Sequence, residues 1–121
     1  MSNVDVILKE AANIDGAIAA LLADYQSGMV LGQAGDASAL NLDVAAAGNT
    51  DVVRAKMRTM ESLGLDDHIE DILITLGKAY HLIRITEDHP GLFIYLVLDK
   101  SKANLAMARH KVTALAKQLE L

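Results

Sequence analysis

The chain has 121 residues, 52% of them hydrophobic, with 16 acidic against 11 basic side chains and a formal net charge of −5; this length is one domain's worth, residues 1–121, with room for one core. The negative balance, with one Phe, three Tyr and no Trp, argues against nucleic acid, and zero cysteines remove disulfides, thiol chemistry and Cys-type zinc sites. No apolar run reaches the roughly 20 residues of a spanning helix, and the opening MSNVDVILKE lacks the basic and apolar regions of a secretory signal, so the expectation is a cytoplasmic protein without membrane insertion.

Val4, Ile7, Leu8 and Ala11 fall at helical spacing and predict a short amphipathic helix. Ser2 or Asn3 can cap it, and Ile14-Asp15-Gly16 ends it. Ala17–Asp24 and Met29–Gln33 then predict a hairpin around Tyr25-Gln26-Ser27-Gly28. Gly32 and Gly35 are expected to loosen the chain into a loop, GDASALN. A second helix is predicted over Leu42–Leu63, capped by Asn41 and stopped by Gly64. It carries two apolar stripes. Ala45, Ala46, Asn49, Val53, Met57 and Met60 form one, suited to covering a sheet. Val44, Ala47, Gly48, Val52 and Ala55 form the other, whose small side chains suit close approach of another backbone.

From Ile69 to Asp99 the chain reads as three successive strands, Ile69–Leu76, Ala79–Ile85 and Leu92–Leu98, separated by turn residues. In the middle strand Tyr80, Leu82 and Arg84 point one way, and Ala79, His81, Ile83 and Ile85 the other. LFIYLVL is apolar on both faces and belongs inside the sheet, with helices on both sides. A last helix follows, with Leu105, Ala108, Val112, Leu115 and Leu119 at helical spacing and Asp99 or Ser101 as its cap.

This order, with two sequence patches, resembles the roadblock/dynein light chain 7 family. Asp15–Gly32, DGAIAALLADYQSGMVLG, is similar to that family's opening hairpin. Leu98–Arg109, LDKSKANLAMAR, is similar to its strand-to-helix junction, with Asp99, Ala103, Asn104, Leu105, Ala108 and Arg109 in place. The resemblance covers nearly the whole chain and departs in the Ala-rich first strand and middle helix. It implies an α/β/α sandwich of α+β class, profilin-like, with a five-stranded antiparallel sheet. The terminal helices would lie on one face and the middle helix on the other. It further implies homodimers joined through the third strand and the middle helix. Bacterial relatives often act with small Ras-like GTPases, some as activators of GTP hydrolysis. Eukaryotic ones sit in dynein or in scaffolds for nutrient-sensing GTPases.

Candidate chemical sites weigh lightly. Asp66-Asp67-His68-Ile69-Glu70-Asp71 is the densest set of potential metal ligands, but consecutive residues do not converge on a cation, and an acidic lead into a protected edge strand accounts for them. His81 has no Ser or Cys nearby in the meander and reads as a half-buried imidazole hydrogen-bonded within the sheet; His89 is a turn residue, and His110 lies on the exposed side of its helix. Gly32–Ser38 looks like a phosphate loop but lacks its lysine and spacing. Arg54, Lys56 and Arg58 can meet an acidic partner or simply be solvated. The expectation is no catalytic, cofactor or metal residue, and no enzyme.

If the last three strands form a meander beside the opening hairpin, Ile69–Leu76 is left at a sheet edge. An apolar edge of that length is an aggregation hazard unless something pairs with it, and the high apolar content itself points to self-association. The expected dimer interface is therefore Val44, Ala47, Gly48, Val52 and Ala55 of the helix with Ile69, Asp71, Ile72, Leu73 and Ile74 of the strand. The functional expectation is a homodimeric regulatory module for a small GTPase or signalling protein. The alternative is a structural adaptor joining larger signalling or motor-type proteins.

Overall fold

The computed structural model describes residues 2–36, 38 and 40–121. Its elements run α1 (Val4–Ala12), β1 (Ala17–Asp24), β2 (Val30–Gly35), α2 (Leu42–Ser62), β3 (Asp71–Thr75), β4 (Ala79–Ile85), β5 (Leu92–Asp99) and α3 (Leu105–Gln118). This is the α-β-β-α-β-β-β-α order expected from the sequence. Among the described residues, no helix is long and apolar enough to cross a membrane.

The strands form one antiparallel sheet in the order β2-β1-β5-β4-β3. Helices α1 and α3 cover one face, where Leu8, Leu22, Leu82, Ile94, Leu96 and Val112 are buried together. Helix α2 lies on the other, over Leu21, Ile83, Phe93, Tyr95 and Val97. Central β5 is buried on both faces from Leu92 to Leu98, because each face of an apolar strand in mid-sheet needs its own cover. The alternation in β4 holds: Leu82 packs with α1 and α3, Ile83 and Ile85 with α2.

Local structure differs from expectation at the end of β2 and the start of β3. Strand β2 runs past the expected end at Gln33 to Gly35, pairing Leu22 with Gly32 and Ala19 with Gly35, so Gly35, expected to open the loop, is strand. At Gly32 α1 crosses so closely that a Cβ would stand 2.8 Å from Val4 Cγ1 and 2.9 Å from Leu8 Cδ1, and those side-chain tips would have to move to admit it. The loop expected over residues 35–41 includes Ala37 and Ala39, which lie outside the described residues. Strand β3 begins at Asp71, two residues later than Ile69, although the Glu70 carbonyl still accepts from Ile85 N at 3.1 Å.

The caps differ too. Asn41 caps α2 as expected, accepting from Val44 N at 3.2 Å. Asn3 stands at the N-cap of α1, but its amide turns to the other end of the chain, donating to the Gln118 carbonyl at 2.7 Å and accepting from Glu120 N at 2.6 Å. Neither Asp99 nor Ser101 caps α3. Asn104 does, accepting from Met107 N at 3.0 Å. Asp99 is engaged one turn earlier, where the Ser101 hydroxyl and backbone N–H both donate to it and hold its carboxyl below the usual range.

That junction meets the opening hairpin. Asp99 N donates to the Gly16 carbonyl at 2.7 Å. Gly16, at φ 85°, approaches so closely that a Cβ would lie 2.7 Å from Ala103 Cα. The two sequence patches similar to the roadblock family therefore pack on each other. The sheet's outer strands are unequal. Strand β3 is short and regular, while β2 carries two glycines and an irregular pairing step at Leu22/Ala23.

Candidate interaction surface

Strand β3 ends the sheet, and its Asp71–Thr75 backbone pairs only with β4 on its inner side. Alternation sends Ile72 and Ile74 to the α2 side, beside Ile83 and His81, while Leu73 packs on the α1/α3 side. Asp71, Ile72, Leu73 and Ile74 are half-buried, and Ile69 just before them is too.

Helix α2 lies mainly over β1 and leaves this end of the sheet thinly covered. Its first stripe does cover the core: Ala46 and Val53 are buried, and Ala45, Asn49, Met57 and Met60 are half-buried. Thr50, not counted in that stripe, is buried as well. The second stripe faces outward. Val44 is 66% and Val52 37% exposed, with Ala47, Gly48 and Ala55 exposed beside them. Val52 and Ile72 line one shallow surface cleft together with Ile69 and Asp71, so the helix stripe and the strand edge meet in one strip.

Two polar contacts brace the strip, and only one was half-visible in the sequence. On the α2 side, His81 Nδ1 lies 2.8 Å from the Tyr95 hydroxyl, the rings meeting edge to face at 5.5 Å. Asn49 of α2 acts on the same hydroxyl, opposing part of the rise that burial gives its pKa. Burial pushes the imidazole pKa down and the phenol pKa up. On the other side, Arg109 of α3 grips Asp71 with both arms of its fork, Nε at 3.0 Å and Nη2 at 2.7 Å. That paired hydrogen bond holds the guanidinium charged, its pKa raised. Asp71 is thus engaged within its own chain, and the junction arginine serves to fasten the edge strand.

The acidic stretch folds differently from a plain run. His68, Glu70 and Glu87, the last from the β4–β5 turn, bring a ligand atom each within 4.8 Å of one another, all exposed. Glu87 is 17 positions beyond Glu70 in the chain, and only the fold brings it alongside. His89 in that turn reaches the chain's far end, its Nε2 lying 2.7 Å from the Leu119 carbonyl. Arg84 is buried, with Nη2 3.7 Å from Glu87. Gly32–Gly35, the first half of the stretch Gly32–Ser38 that looked like a phosphate loop, is spent on strand pairing.

No family model matches the sequence, and a search of curated proteins finds no match. Comparison of structures does. MglB of Myxococcus xanthus superposes with a TM-score of 0.84 at 13% identity, covering 95% of this chain and 83% of that one. A Roadblock/LC7 domain from Streptomyces avermitilis gives 0.83 at 14% identity, covering 97% and 94%. The chain has the roadblock/LC7 fold. An MglB with a tetrameric arrangement gives 0.79 at 22% identity, covering 94% and 82%. Within the roadblock/LC7 fold, the strip described above occupies the β3 edge and the outward side of α2.

Proposed function

We propose that the protein is a non-enzymatic, homodimeric regulatory module that binds a small Ras-like GTPase in the cytoplasm and modulates its GTP hydrolysis or location. The observation that carries this reading is the strip itself. An apolar edge strand and an exposed small-residue helix face lie side by side, and a two-fold copy offers the same pair in return. Strand β3 would pair with its own copy, Val44, Ala47, Gly48, Val52 and Ala55 would face their counterparts, and Ile72 and Ile74 would gain the cover that α2 leaves thin.

The GTPase partner rests on the roadblock resemblance of Asp15–Gly32 and Leu98–Arg109, and on the likeness in fold to MglB. Regulation would act by ordering or remodelling the partner's switch loops, since phosphoryl transfer depends on positioning. Recovery of a GTPase on the immobilised chain from native lysate, followed by its GTP hydrolysis rate with and without the protein, tests this. Failure to recover any GTPase, or a recovered one that is neither accelerated, slowed nor relocated, overturns it.

One observation favours the adaptor as second reading. Arg109 is committed to Asp71 and Arg84 is buried, so neither is placed to reach into a partner's nucleotide site. Under that reading the dimer joins larger proteins and leaves the recovered partner's hydrolysis rate unchanged.

A further inference from the structure

A helix C-terminus gathers partial negative charge on its last carbonyls and is usually relieved by Lys, Arg or His in the final turn. Helix α2 has no basic residue there. Glu61 occupies that turn instead, and Asp66 and Asp67 follow closely in the chain.

Beside this end lies an open groove of about 580 Å³. Its floor is apolar, formed by Tyr25, Met57, Met60, Leu65, Ile69 and Ile85. Leu65 in that floor is 51% exposed. Its rim carries Glu61, Asp67 and Glu87 with His68, and no lysine or arginine is among the described residues that line it. Two residues of the chain itself, Arg84 and His68, touch the rim. Arg84 reaches Glu87 at 3.7 Å from its buried position, and His68 lies 3.8 Å from Asp67 and 3.6 Å from Glu87. Glu61 is exposed, while the Thr59, Met60 and Glu61 carbonyls at the end of α2 accept from Leu63 N, Leu65 N and Gly64 N, so the charge offered outward is that of the carboxylates.

We propose that this groove docks a basic amphipathic segment of a partner protein, with an apolar side chain seated on Met57, Met60 and Leu65 and flanking Lys or Arg side chains meeting Glu61, Asp67 and Glu87. Charge complementarity selects the occupant. The floor rewards an apolar anchor of any shape, because methionines repack around what they meet. The acidic rim rejects an acidic segment and attracts a cationic one, a preference that steers association as well as holding it. An apolar face with charged flanks is the pattern of a helix laid in a groove. The groove adjoins the strip assigned above to the second copy, sharing Met60, His68 and Ile69 with its cleft, and this inference stands whether or not the partner is a GTPase.

The test uses the full chain and two synthetic peptides of roughly 14 residues, both with leucines at i, i+3, i+4 and i+7 to form one helical face. One carries lysines at its polar positions, the other glutamates. Fluorescence anisotropy is expected to show binding of the lysine peptide alone, weakening as salt rises. Glu61→Lys/Asp67→Lys/Glu87→Lys is expected to weaken it by about tenfold or more, and Leu65→Ser by about fivefold. Glu10→Lys/Asp15→Lys/Glu120→Lys, the same change in net charge outside the groove, is expected to leave it within about twofold. The proposal is overturned if neither peptide binds, if both bind alike, or if the two triple variants weaken binding equally. It is also overturned if light scattering shows that the groove variant changes the number of copies, which would give the groove to a second copy of this chain.

Discussion

His81 shows how a single ring can set a pH limit. Its pKa is pushed below the ordinary value of 6.5 by burial beside Tyr95, so the folded chain holds the imidazole neutral where the unfolded chain takes up a proton. A neutral Nδ1 can accept the Tyr95 proton; a protonated one cannot. Stability contributed by the neutral ring is therefore whole above pH 6.5 and is lost as pH falls through 6.5 toward the lowered folded value. The urea midpoint of the wild type should fall between pH 7.5 and 5.5, and His81→Gln should flatten that fall. An equal slope in the variant would place the acid sensitivity elsewhere. A half-buried, hydrogen-bonded imidazole was legible from the alternation of β4, but its partner was not, because the diagonal pair depends on the β4–β5 register. The Asp71–Arg109 grip was hidden for a similar reason: 38 residues separate the two, and only the sheet order puts β3 under α3. Both side chains are partly exposed, so Arg109→Ala should cost on the order of 1 kcal/mol. The sharper sign is local: amide exchange in Asp71–Thr75 should quicken while that of β5 stays slow.

At the scale of elements, the α3 junction separates what sequence can say from what it cannot. Asp99, Ser101 and Asn104 are all good N-cap residues, and choosing among them needs the path of the chain out of β5. Asp99 ends up bracing a turn through Ser101, so Asn104 is left to satisfy the helix. Asn104→Ala should then cost about 1 kcal/mol, the usual worth of such a cap. Asp99→Ala should leave α3 in place by circular dichroism. Gly32 misled for an opposite reason: a glycine in a sequence reads as looseness, whereas here it marks the nearness of Val4 and Leu8. Strand β5 was the plainest element, since an unbroken apolar run has few places to go. Leu96 is fully buried between β1 and β4, and Leu96→Ala should cost roughly 2–5 kcal/mol. A denaturation midpoint unmoved by that change would contradict the central place of β5.

For the whole molecule, the order of elements and the two-sided cover of the sheet were readable because periodicity and turn residues report them directly. The outward stripe of α2 was readable too: its Ala, Gly and Val line up at helical spacing apart from the core stripe. The groove beside Glu61 was not, since its walls come from α2, the segment before β3 and the β4–β5 turn. The proposed dimer gives the decisive prediction at this scale. Light scattering coupled to size exclusion should give the mass of two chains for the wild type. Val52→Glu or Ile72→Lys should yield single chains or aggregates, because an unpaired charge shut into an apolar contact costs several kcal/mol. A wild type with the mass of one chain would end the proposal.

The inequality of the two outer strands bears on how large such an assembly grows. When β3 meets its copy, both regular edges are used up, and each flank of the joined sheet presents β2. That strand is a poor template: two glycines interrupt it, its ladder slips a step at Leu22/Ala23, and Val4 and Leu8 of α1 crowd Gly32. Under the proposed pairing, growth would have an adhesive end and a terminator built into the same sheet. Raising the concentration should multiply pairs without lengthening them into ribbons, and the chain can be abundant in solution without its strands seeding a fibre.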